Sequence, residues 1–491
     1  MQMYFSGLGF GRPCHSYEWL SLEVCAPQDP HMRLAVINLV GLSRSLLGEH
    51  MPGLTQFAEK NGLQTYKPAF PAVTCTAQSS IVTGTSPAEH GIVANGWYDR
   101  ENAEVRFWKQ SNHIVRGEKL WDKLRREIPG FTCAKLFWWY NMHSNADFSI
   151  TPRPLYPADG RKVFDVHTQP MDMREELKKD LGPFPFQAFW GPAAGIASSE
   201  WIAASAKWVE EKHSPTLSLV YLPHLDYPLQ KDGPLAANIP AELRKIDTLA
   251  TDLINYYESR GVRVLVLSEY GISPVSRTIH LNRLFREKGW LQIKDELGLE
   301  NLDCGASRAF AIADHQVAHI YVNDPMIRDQ VLAVLETTPG IDEVRTAVEI
   351  WGQGVAAERA GDFIAIAAAD AWFTYYFWEN DAVAPDYART IDIHRKPGYD
   401  PCELFIDPAI AFPKLKIAKF LLKKKLGLRG LLDVIPLDAS LVKGSHGRDL
   451  VPDEECPVLL GSAFPVKSAE DVHLAILEAF GFSPSRSLRH C

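Results

Sequence analysis

The chain has 491 residues, well beyond the roughly 100–200 that one hydrophobic core usually organises. Hydrophobic residues make up 46% and charged residues 23%, which excludes disordered and fibrous classes; a formal charge of −9 removes the basic field that non-specific nucleic-acid binding requires. Eight cysteines without a C-x-x-C pair are no disulfide framework and point to a reducing, cytoplasmic setting.

In chain order, residues 1–31 lack periodicity and the basic start of a leader, and read as an N-terminal extension that a misassigned start codon would explain. From Met32 the pattern is that of an α/β chain. Leu34–Val40 reads as a strand, Leu54–Asn61 as a helix, and Gln78–Thr83 enters another helical stretch. Residues 134–200, rich in proline and aromatics, read as an insertion. Leu217–Leu222 is a strand, Ala241–Arg260 an amphipathic helix and Val262–Ser268 a strand; His319–Val322 and Phe363–Ala367 add two more. A second insertion, near 370–432, ends in a basic helix, Lys414–Lys425, predicted to be a partly packed cap with solvated lysines rather than a membrane-surface helix. The longest apolar run, Phe363 to Trp378, is short and contains Asp370, so no transmembrane segment is expected. Strands alternating with helices predict a mostly parallel sheet, with chemistry at the carboxyl ends of its strands.

The strongest local signal is Phe70 to Tyr98, FPAVTCTAQSSIVTGTSPAEHGIVANGWY. A hydroxyl at a helix entrance, beside N–H groups that hold an anion, can attack phosphorus once its proton is removed. By itself Thr74 would more commonly be a helix cap. The segment nevertheless resembles the type I phosphodiesterase/nucleotide pyrophosphatase branch of the alkaline phosphatase superfamily, through Phe70-Pro71, Thr74, Ser80-Ile81-Val82-Thr83-Gly84, Pro87, His90-Gly91-Ile92 and Asn95. The likeness continues through Leu222–Pro234, Ser268–Leu291 and Gly444–Gly447. It implies an α/β three-layer sandwich, with a mostly parallel central sheet, helices on both faces and inserted cap segments, spanning residues 32–491. It also implies Thr74 as nucleophile and Asn95 as the group steadying a phosphate oxygen.

Family members hold two zinc ions with three Asp and three His, and here the sequence departs. Asp226 falls at one Asp position and Gln230 at a His position; Ser268-Glu269-Tyr270-Gly271 stands where S-D-H-G is usual; His446 survives in Gly444-Ser445-His446-Gly447. For the first Asp, the spacing from Thr74 points to Asn38, and alignment on Gly41-Leu42 points to Val40. The resemblance thus implies metal positions Asp226, His446, Glu269, Gln230 and Asn38, poorer in imidazole and richer in oxygen. That shifts preference toward Mn²⁺, Mg²⁺ or Ca²⁺, or one Zn²⁺, with fewer than two tightly bound zincs. Tyr270, His315, His224, Arg153 and Arg161 are further substrate-binding candidates. His315, in Asp314-His315, is expected near the site rim, and the aromatic run Trp138-Trp139-Tyr140 could stack a flat group.

The implied activity is hydrolysis of a phosphodiester, pyrophosphate or phosphonate bond in a small molecule. The alternative is a catalytically inactive or repurposed member that binds a small molecule as a biosynthetic-pathway partner.

Overall fold

The computed structural model describes residues 32–484 and the short strand Leu22–Glu23; the rest of the predicted extension lies outside the described residues. An eight-stranded sheet runs in the order Leu63–Thr65, Val458–Leu460, Val262–Leu267, Arg33–Leu39, Leu217–Leu222, Cys133–Leu136, Phe148–Pro152, Val166–Gln169. From Val262–Leu267 across to Phe148–Pro152 every neighbouring pair is parallel, and Val458–Leu460 and Val166–Gln169 pair antiparallel at either side. Leu217–Leu222 and the interior of Arg33–Leu39 are buried throughout, as near-continuous apolar runs demand when helices cover both faces.

Helices Pro52–Asn61, Ile196–His213 and Ile239–Ser259 pack together on one face, and Thr74–Thr83 against Ala469–Ala479 on the other. The result is the three-layer α/β sandwich that the sequence predicts. Side chains close some helix ends: Asp247 accepts from the N–H groups of Gly53 (3.0 Å) and Leu54 (2.8 Å), satisfying the first turn of Pro52–Asn61 from a neighbouring helix. The stretch 134–200 is not wholly outside this framework, because Phe148–Pro152 and Val166–Gln169 extend the central sheet.

The predicted strands at 319–322 and 363–367 join a different sheet. Ala309–Asp314, Val317–Val322, Phe363–Ala367 and Ile341–Arg345 form a second, wholly antiparallel sheet with its own core. The reason is local: only His315 and Gln316 separate the first two strands, and two residues can close a hairpin but not a parallel crossover. Among the described residues no helix is long and apolar enough to cross a membrane.

Candidate active site

Three adjacent parallel strands deliver polar groups at their carboxyl ends, where an open α/β sheet places its ligand crevice. Asn38 ends Arg33–Leu39, Glu269 follows Val262–Leu267, and Asp226 follows Leu217–Leu222. Over them stands the helix Thr74–Thr83, all ten of whose residues are buried although six are polar. An ordinary buried helix is apolar all round; this one gives up hydrophobic surface to build a site.

Thr74 does not cap that helix. Val73 is the N-cap, Thr74 is the first helical residue, and its Oγ1 lies 3.0 Å from the hydroxyl of Tyr270. Tyr270 reaches on to Asp226 Oδ1 at 3.4 Å. Burial, reinforced by Asp226 and Glu269, pushes the Tyr270 hydroxyl far above its ordinary range, which favours its protonated, hydrogen-bonding form. On the other side Glu269 Oε1 accepts from Asn38 Nδ2 and Gln78 Nε2, both at 2.6 Å. Of the two candidates for the first Asp position, it is thus Asn38 that faces the site.

Asp226 Oδ2 accepts from Gln230 Nε2 at 2.7 Å, and Gln230 Oε1 accepts from Tyr399 at 3.0 Å. Both ends of this amide are engaged, so Gln230 orients Asp226 instead of offering a free donor atom. His446 Nδ1 donates to Ala72 O at 2.7 Å, which fixes the tautomer and leaves Nε2 without a partner, 3.9 Å from Asp226 Oδ1. Gly447, at φ +128°, lets this loop press against the hairpin tip, where a Cβ would lie 3.1 Å from Gln316 N.

That tip carries His315 into the site, deeper than the rim expected for it. His315 occupies φ +62°, a conformation usually left to Gly or Asn, so its placement is held by the surroundings. Its Nδ1 donates to Asp314 Oδ1 at 2.8 Å, its ring stacks on Tyr399 (centroids 3.6 Å apart) and lies 3.7 Å from that of His446, and Nε2 again has no partner. Asp314 also accepts from Asn95 N (2.8 Å) and Asn95 Nδ2 (3.1 Å), while Asn95 Oδ1 takes the N–H of Cys75. Asn95 is thereby locked beside Thr74.

Burial pushes Glu269 up to about 8, Asp226 to about 7 and Asp314 to about 6, and lowers His315 and His446 well below the usual imidazole value. Among the described residues none of the hydrogen bonds to these carboxylates comes from lysine or arginine. Buried acids without a cationic partner must stay protonated or gain a bound cation. Four acceptor atoms in the cluster stand without partners, namely Asn38 Oδ1, Glu269 Oε2, His315 Nε2 and His446 Nε2, and this fits a cation. Among the described residues no three His, Cys, Asp or Glu side chains group closely enough to hold a metal ion. A cation would therefore draw on amide, hydroxyl or water oxygen, the donor set of a hard ion.

Three predicted contacts are not brought to this cluster. His224 turns away, with Nε2 3.1 Å from Glu242 Oε2, and lines a separate cavity of about 220 Å³. Arg153 lies against Met142, and Arg161 pairs with Asp159 at the surface. Sequence reasoning missed Gln78, although it sits one helical turn after Thr74 on the same face. Tyr399 belongs to the polar, Gly/Pro-bent run Asp392–Asp400, whose sequence allows either a lining of the site mouth or a solvated loop; the structure buries Tyr399 against His315. Tyr399 is set by a buried triad in which Lys396 Nζ lies 2.7 Å from both Asp400 Oδ2 and Glu403 Oε1.

A mostly parallel sandwich with a hydroxyl helix entrance above carboxylates defines the alkaline phosphatase-like class. The chain belongs to the type I phosphodiesterase/nucleotide pyrophosphatase family, whose family model matches residues 34–400. An uncharacterized pyrophosphatase/phosphodiesterase of Schizosaccharomyces pombe is 27% identical over 247 residues, which cover 48% of this chain and 44% of that protein. The match thus spans less than half the length of that curated relative. Phosphonoacetate hydrolase of Sinorhizobium meliloti, in complex with phosphonoacetate, shares the fold at a TM-score of 0.58 and 14% identity, over 94% of this chain and 98% of that one. Murine ectonucleotide pyrophosphatase/phosphodiesterase 5 does so at 0.55 and 15%, over 92% and 96%. A Thr-to-Ala form of the murine protein, described as inactive and in complex with AMP, gives 0.54 and 14%, over 92% and 96%.

Proposed function

We propose that this protein hydrolyses a phosphodiester, pyrophosphate or phosphonate bond in a small molecule, with Thr74 as nucleophile and an altered metal centre. The observation that carries the reading is the position of Thr74 Oγ1: at the start of a buried helix, beside Asn95, and hydrogen-bonded to a tyrosine that reaches Asp226. The family match and the inactive Thr-to-Ala form of the murine protein support it.

In this mechanism the Thr74 proton passes through the Tyr270 hydroxyl to Asp226, Thr74 Oγ1 forms a bond to phosphorus as the bond to the leaving group breaks and the leaving group takes the electron pair, and water then releases the phosphoryl group from Thr74. Tyr270 holds the Thr74 hydroxyl in one orientation. Asn95 Nδ2 gives one proton to Asp314 and keeps its second for a phosphoryl oxygen. Asp226 and His446 would hold a divalent cation on one side, and Glu269, Asn38 and Thr74 offer oxygen on the other, with Gln230 steadying Asp226. Mn²⁺, Mg²⁺ or Ca²⁺ suits this donor set better than a pair of zincs. When bound, such an ion offsets charge developing on the phosphoryl and leaving oxygens. Trp139, whose backbone N–H donates to Gln78 Oε1, and Trp108 beside it offer a flat wall to a substrate ring.

Purified protein should turn over bis-p-nitrophenyl phosphate or a dinucleotide with one of Mn²⁺, Mg²⁺ or Zn²⁺, and Thr74→Ala should end that turnover. Silence across a broad phosphoester panel with every metal would defeat the proposal. It would favour the second reading, a repurposed binding protein, for which the closure of Glu269 by two amides speaks. That reading expects substoichiometric metal and a small molecule that co-purifies.

A further inference from the structure

The helix Pro413–Lys425 buries none of its residues. Its sequence predicts a partly packed cap: of its large apolar side chains only Ile417, which packs against the second core, and Phe420 are mostly covered, and every residue from 421 to 431 is exposed. Phe412 is 73% exposed, Leu415 67% and Leu422 58%, and Leu426, Leu428 and Leu431 continue the display. A contiguous exposed apolar stretch of this kind marks an interaction surface, not an ordinary scatter of surface leucines.

The charge on the same segment is one-sided. Between Asp407 and Asp433 there is no acidic residue, while Lys414, Lys416, Lys419, Lys423, Lys424, Lys425 and Arg429 are all present in a chain whose formal charge is −9. Lys416 pairs with Asp433, Lys424 reaches Lys162 O and Arg429 reaches Asp159 O. Among the described residues Lys414, Lys419, Lys423 and Lys425 form no ion pair. The last two bonds dock the segment onto the arm at 155–164, whose Tyr156 and Phe164 are also exposed. Both predicted insertions thus meet in one apolar and basic surface, and Arg161 belongs to its border rather than to the substrate pocket.

We propose that this surface seats the protein on an anionic lipid membrane. Charge selects the partner: the chain is net acidic, and this segment presents a run of cations with no acid among them, which favours one orientation on anionic lipid. Apolar side chains interleaved with lysines, with no acid among them, match the headgroup boundary, where apolar groups enter the acyl region and lysines meet phosphates. Thirteen helical residues rise about 20 Å, short of the roughly 30 Å hydrocarbon core, so the helix lies on the membrane and does not span it.

Flotation of the full chain with vesicles tests this. Phosphatidylcholine vesicles containing one-third phosphatidylglycerol should carry the wild-type protein at low salt, pure phosphatidylcholine vesicles should not, and binding should weaken as salt rises. A Phe412→Ser, Leu421→Ser, Leu422→Ser variant and a Lys419→Glu, Lys423→Glu, Lys425→Glu variant should each lose binding at least tenfold. Both should keep the thermal midpoint and the wild-type rate on a soluble substrate. Failure of the wild type to float with anionic vesicles, or equal flotation of either variant, overturns the proposal. Should the wild type ignore vesicles yet form a dimer that the serine variant loses, the surface is an interface between copies and the proposal is wrong.

Discussion

The cluster around Thr74 and the helix Pro413–Lys425 break the same rule in opposite directions. One buries Thr74, Asn95, Asp226, Glu269, His315 and His446 with scarcely any access to water; the other leaves Phe412, Leu415 and Leu422 in it. Each departure costs stability in isolation, since buried polar groups lose hydration and exposed apolar groups gain nothing from folding. The comparison teaches that both candidate regions lie where the chain declines the more stable choice, and that the two kinds of departure fail differently. Substitutions in the buried one should be felt in activity or in stability, those in the exposed one in neither.

The largest expected effect is on turnover. Thr74→Ala should lower it by about 10³-fold or more with little change in melting temperature, measured under single-turnover conditions. Next is the support behind the site: Lys396→Met would leave Asp400 and Glu403 buried without their cation and should cost about 3–5 kcal/mol in denaturant unfolding. The comparison fails if that variant is as stable as the parent.

The pH dependence sharpens it further. Glu269 and Asp226 are raised to about 8 and about 7, so the folded state holds protons that the unfolded chain releases near the ordinary carboxylate value. Their contribution is fully present below that value and is lost as pH rises through 7 and 8. The melting temperature of metal-free protein should therefore fall between pH 5 and pH 8.5. Saturating Mn²⁺, or Glu269→Gln, should flatten the slope. Gln78→Ala, which removes one of the two donors to Glu269 and frees Trp139 N–H, should cost about 1–3 kcal/mol. The smallest effect belongs to the exposed helix: Leu421→Ser with Leu422→Ser should stay within about 0.5 kcal/mol of the parent.

Sequence alone reached the central architecture because its signals are local. Leu217–Leu222 and Phe363–Ala367 fall at the predicted boundaries, and Leu34–Val40 is displaced by one residue to Arg33–Leu39. It failed on the sheet to which Phe363–Ala367 belongs, because an apolar run carries no record of its partner. Among the site residues, those tied to a motif or a strand end (Thr74, Asn95, Asp226, Glu269, His446) come together. Those chosen for residue type alone (His224, Arg153, Arg161) are engaged elsewhere.

What the amino-acid order determined was the α/β alternation, the hydroxyl at position 74 and the amide and phenol at positions 230 and 270, each legible within a few residues of its neighbours. Only the tertiary structure decided that Gln78 and Asn38 share one oxygen of Glu269, that a hairpin tip brings His315 against His446, and that the two insertions meet in one exposed surface. Those arrangements join residues tens to hundreds of positions apart, and long-range proximity is set by packing and loop closure, which leave no periodic trace in sequence.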